Sequence, residues 1–120
     1  MREVLRDASR LRHMVEAMDN IFCFMEGKNV QDLSTNAMLF YAVVKNIEII
    51  GEAAYKLSHE FVEKHPVTPW RQIIAMRHIL VHGYYQIEAE QLYNVYTEDL
   101  PLLRPQLQAY LYEAEKTDQL

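Results

Sequence analysis

The chain has 120 residues, half of them hydrophobic, and carries 12 Lys and Arg against 17 Asp and Glu, a formal charge of −5. That length suits one domain with a genuine core but not two, and the composition excludes a disordered chain. The acidic balance also argues against a protein that coats nucleic acid nonspecifically, because such affinity comes from many phosphate contacts.

Cys23 is the sole cysteine, set between Phe22 and Phe24. It permits no internal disulfide, and a packed free thiol there fits a reducing cytosol. The opening MREVLRDASRLRHM is too charged for a secretory leader, and no apolar run approaches the ~20 residues a membrane span needs. A cytoplasmic location without a membrane partner is expected.

The first predicted element runs from about Glu3 to Met25. Val4, Ala8, Leu11, Val15, Met18, Phe22 and Met25 recur at alternating four- and three-residue steps, and Leu5, Met14 and Ile21 widen the stripe. Arg2, Arg6, Arg10, Arg12, Asp7 and Glu16 fall mostly away from it, the pattern of a long amphipathic helix with one packing face. Glu26-Gly27-Lys28-Asn29 ends it, and Ser34 or Asn36 can cap the next.

The second element, about Thr35 to Leu57, is apolar around much of its circumference, which places it centrally. Its polar members include Lys45, Asn46, Glu48, Glu52 and Lys56. They admit two readings: a solvated strip with Glu52 and Lys56 as an i,i+4 pair, or Glu52 or Glu48 turned toward Arg77 as its counter-ion. His59 to Pro69 reads as an extended, non-helical connection. Thr68 as N-cap, followed by Pro69, predicts a third helix to about His82. A fourth begins near Ile87 with Leu92, Val95 and Tyr96 inward, and Asp99-Leu100-Pro101 reads as a break with Asp99 recapping a helix through Leu103, Leu107, Tyr110 and Leu111. No segment sustains period-two alternation. The expected fold is all-α, a single-domain antiparallel bundle of four to five helices.

The third helix holds the chemistry. In WRQIIAMRHILVHGYY, Trp70 to Tyr85, an apolar run carries Arg77, His78 and His82. Leaving such groups buried and unpaired costs about 1–3 kcal/mol or more, so they sit in a polar notch or are placed for chemistry. His78 and His82 share a face. Arg77 and His82 are about 140° apart, so they converge only if the helix stops near His82, and Gly83 can supply the stop. There the helix dipole favours protonated His82 and the nearby guanidinium favours the neutral form, leaving a group able to change charge near neutral pH. Between Glu63 and Glu88 there is no carboxylate, while Lys64, His65, Arg71, Arg77, His78 and His82 all lie inside that gap.

These residues admit three readings. A zinc site using His78 and His82 lacks an evident third ligand and an intervening Glu. Boundary side chains satisfied by backbone carbonyls or Glu52 are the plainest case. The third rests on resemblance: RHILVHGY, Arg77 to Tyr84, fits R-x-x-x-x-H-x-Y, and the sequence resembles the HEPN superfamily in its HepT-like toxin branch. IIGEAAYKLS from Ile49 to Ser58, the run from His65 to Tyr85, and DLPLLRPQLQAYL from Asp99 to Leu111 carry the same likeness, covering most of the chain after Met38.

The resemblance implies a five-helix HEPN fold forming a homodimer, with Arg77 and His82 of both subunits lining one cleft as catalytic residues, supported by His78 and Glu52. It implies a metal-independent endoribonuclease, without a cofactor, acting on RNA rather than DNA as the toxin of a type VII toxin–antitoxin pair. The partner is a minimal nucleotidyltransferase that transfers AMP to the motif tyrosine, here Tyr84. His78 departs from the asparagine common after the motif arginine. A different class of function stays open at this point: a noncatalytic helical module that binds a nucleotide or docks the nucleotidyltransferase.

Overall fold

The protein is described by a computed structural model covering residues 2–83 and 87–118, with side chains over 6–77 and 87–116. Four long helices, α1 (Arg2–Met25), α3 (Ala37–Tyr55), α5 (Trp70–Gly83) and α7 (Leu100–Asp118), are joined through three short ones, α2 (Val30–Thr35), α4 (His59–Lys64) and α6 (Ala89–Asn94). No strand occurs among the described residues, and the all-α expectation holds.

α1 forms where the stripe predicts. Ala8, Leu11, Met14, Val15, Met18, Ile21 and Met25 are buried against α3 and α7. Gly27 then adopts φ +73, the left-handed conformation that closes a helix without a Cβ penalty. Asn29 caps α2, accepting from the Asp32 amide at 3.0 Å, and Asn36 caps α3 by accepting from Leu39 at 3.1 Å. α3 is central, as its composition predicts: Val43, Val44, Ile47, Ile50, Ala53 and Ala54 are buried, and α1 and α5 pack on its two sides. Cys23, expected to be packed, is exposed on the outer side of α1.

Further expectations require correction. The His59–Pro69 connection contains α4, whose N-cap is Ser58 accepting from Phe61 N at 3.1 Å. Ser58 is held in turn by Asp7, which accepts from its amide at 2.8 Å and its hydroxyl at 2.6 Å. Asp7 is therefore only 5 % exposed, although the helical pattern placed it on the polar side of α1. Thr68 does not cap α5 with its side chain. Its hydroxyl donates to Gln106 Oε1 at 2.7 Å and lies 2.7 Å from the Tyr110 hydroxyl, tying the connection to α7. Finally, Asp99 does not recap a new helix. The chain passes from α6 into α7 through a π turn, Val95–Asp99, in which the Leu100 amide reaches back to the Val95 carbonyl. That wider turn carries the helix into Pro101, whose ring would otherwise clash with the preceding turn.

An aromatic cluster anchors the start of α5. Phe61 and His65 lie 4.3 Å apart and His65 and Tyr110 4.2 Å apart by ring centroid, and Trp70 Nε1 donates to the His65 carbonyl at 2.9 Å. Asp7→Ala removes a buried acceptor and strands two Ser58 donors, so a loss of about 2–3 kcal/mol is expected. Urea unfolding checks it, and the Asp7→Ala/Ser58→Ala double variant should fall well short of the sum of the single losses.

Candidate active site

α5 packs chiefly on α3, and the contact is closest where Arg77 crosses Gly51. A Cβ built on Gly51 would lie 2.2 Å from Arg77 Cβ, 3.2 Å from Arg77 Cα and 3.1 Å from the Ile73 carbonyl oxygen. Any larger residue at 51 would push the two helices apart, because the obstructing atoms are the root of a side chain and backbone. One turn later on α3, the exposed Tyr55 presents its ring to the Arg77 guanidinium at 5.8 Å, a cation–π contact.

Arg77 is half-buried, and its Nε is buried without a hydrogen-bond partner. Among the described residues it makes no ion pair. Glu52 reaches Lys56 instead at 3.3 Å, both side chains nearly half exposed, so the i,i+4 reading of that pair is the one observed. Neither Glu48 nor Glu52 pairs with Arg77 among the described residues. A half-buried guanidinium with no carboxylate paired to it among the described residues keeps its planar fork of donors for a phosphate or carboxylate.

His78 and His82 occupy backbone positions one turn apart on α5, but their side chains lie outside the described residues. Tyr84, with Tyr85, lies outside them altogether. Among the described residues no three of His, Cys, Asp and Glu gather to hold a metal. No helix among them is long and apolar enough to cross a membrane. Sequence reasoning missed Gly51 and Tyr55, the residues that seat the motif arginine. A glycine inside a central apolar helix was the available signal for a close backbone approach.

Residues 14–110 match the Ribonuclease HepT-like family, and the chain belongs to it. The match begins within α1, well before the blocks that carry the resemblance in sequence. A candidate RNase of Methanocaldococcus jannaschii is 31% identical over 98 residues, 82% of this chain and 90% of that protein. A candidate RNase of Caldanaerobacter subterraneus is 31% identical over 101 residues, 84% and 90%. A probable ribonuclease HepT of Thermococcus cleftensis is 29% identical over 103 residues, 86% and 88%. No solved structure is a significant match.

At an exposed helical site Gly→Ala gains about 1 kcal/mol. For Gly51→Ala the clash with Arg77 outweighs that gain, and a net loss of about 1–3 kcal/mol is expected in chemical unfolding, together with loss of the Arg77–Tyr55 contact.

Proposed function

We propose that this chain is a metal-independent endoribonuclease, the toxin of a toxin–antitoxin pair, with Arg77 and His82 as its catalytic residues. The observation that carries the reading is the placement of Arg77: half-buried at the α3/α5 crossing, its Nε unpartnered, no acid paired with it among the described residues. Family membership and the names of the relatives support RNA as substrate.

The chemistry follows from what RNA cleavage requires without a metal. A base removes the ribose 2′-hydroxyl proton, the 2′-oxygen attacks phosphorus, the 5′-oxygen leaves with a proton from an acid, and a 2′,3′-cyclic phosphate remains. His82 serves as base or acid, a role worth about 10²–10⁴-fold in rate. Arg77 forks onto the nonbridging oxygens and stabilises the charge that grows on them. One chain supplies one of each, and a two-fold homodimer supplies two, so the base and the acid come from opposite subunits.

Tyr84 is the site at which a partner nucleotidyltransferase transfers AMP. The adenylate adds a negative phosphodiester and an adenine at the cleft mouth, excluding RNA by repulsion and bulk. His78, next to Arg77, supplies a further hydrogen-bonding side chain.

The test is cleavage of single-stranded RNA or tRNA in EDTA. Arg77→Ala and His82→Ala should each lose about 100-fold or more with unchanged thermal melting. Equal cleavage by both variants would assign the activity to a contaminant. Adenylation of Tyr84 by a nucleotidyltransferase and ATP, read by mass spectrometry, should abolish wild-type cleavage. Adenylation of a protein that never cleaves RNA would favour a docking module instead.

A further inference from the structure

Two buried side-chain polar atoms among the described residues lack a hydrogen-bond partner: Nε of Arg77 and Nε of Arg10. The second has no place in the chemistry above. Arg10 lies on α1, half-buried, at a small cleft of about 120 Å³ between α1 and α3 that His13, Glu52 and Lys56 also line, with Ile49 and Ala53 as its apolar wall. We infer that this cleft is a second phosphate-binding subsite, one that holds a backbone phosphate of the RNA strand away from the scissile bond.

The charges favour an anion. Arg10 and Lys56 bring two positive charges and His13 a ring N–H donor, against the single carboxylate of Glu52, which is engaged by Lys56 at 3.3 Å. Two arginines of the described residues hold carboxylates, Arg12 with Glu115 at 3.0 Å and Arg104 with Asp19 at 2.7 Å. Arg10 has none among the described residues. A buried guanidinium N–H left unpaired is costly, and an oxygen-rich anion is what relieves it. Arg10 and His13, three apart, lie on one side of α1, and Lys56 faces them from α3, so the donors converge from two helices.

The location ties the cleft to the arginine of the motif. Lys56 follows Tyr55 directly on α3, and Tyr55 is the ring that Arg77 covers. A strand that contacts both arginines would run across α3, from Arg77 by way of Tyr55 and Lys56 to Arg10. The identity of the ligand rests on the ribonuclease reading; the cleft's geometry and charge do not.

A fluorescein-labelled 2′-O-methyl hexanucleotide, which lacks the attacking hydroxyl, separates binding from cleavage. By anisotropy with the full-length protein, Arg10→Gln and Lys56→Gln should each weaken binding about tenfold and reduce the slope of log K against log salt by about 0.7. Arg10→Lys should keep most of the slope, and Glu52→Gln should tighten binding. The Arg10 Nε–H resonance, assigned by its loss in Arg10→Gln, should shift with the oligonucleotide. A shift with millimolar inorganic phosphate but none with the oligonucleotide would mean an adventitious ion only and overturn the subsite. So would oligonucleotide affinity that falls in Arg77→Gln yet is unchanged in Arg10→Gln and Lys56→Gln, an outcome that leaves the ribonuclease reading standing. Loss of affinity in Arg10→Gln in a protein that never cleaves RNA would uphold the subsite and sink that reading.

Discussion

The close crossing of α3 and α5 at Gly51 is the constraint on which the arrangement around Arg77 depends. With no side chain at 51, the root of Arg77 sits directly on the backbone of α3, and its guanidinium is delivered to the Tyr55 ring rather than into water. α5 has α3 as its main helical neighbour among the described residues. Its start is fixed differently, by the Phe61, His65, Trp70 and Tyr110 cluster and by Thr68 bonded into α7. The motif helix is thus held at its first turn by aromatic packing and two turns later by a glycine.

Electrostatics explains how a chain of charge −5 can still present cations to a polyanion. Some of its carboxylates are paired locally: Glu60 with Lys64 at 3.0 Å, Glu52 with Lys56, Asp19 with Arg104, Glu115 with Arg12. Such exposed pairs contribute little to stability, typically below about 1 kcal/mol. Arg77 and Arg10 take part in none of these pairs among the described residues. Net charge describes the whole surface, whereas an incoming phosphate meets only the groups within about a Debye length, roughly 8–10 Å.

Much of this was legible in the sequence, for reasons that also explain the misses. The bounds of α1, α3 and α5 follow from apolar periodicity, a strong signal in helices that bury one side or most of their circumference. α4 was hidden because six residues are too few to show a period, and the Pro66 and Pro69 that follow it read as loop. Thr68 had the right chemistry for a cap, but Gln106 and Tyr110, some forty residues away, offered its hydroxyl a better partner. The π turn before Pro101 concealed itself in the same way, as a local break that the chain absorbs by widening one turn. Arg77 was visible as a charge out of place in an apolar run. What holds it was not, because Gly51 carries no side chain to read and Tyr55 resembles any exposed ring until the crossing angle is known.

A desolvated guanidinium without an acid is a poor way to stabilise a fold, and its cost must be offset elsewhere. α1, α3 and α7 carry that burden, with Leu11, Met14, Met18, Ile21, Val43 and Leu107 almost completely buried. Full burial of such side chains is worth about 1.5–3 kcal/mol each, so a handful outweighs two unpaired N–H groups at about 1–3 kcal/mol apiece. Both arginines sit at the margins of that core, one on each side of α3.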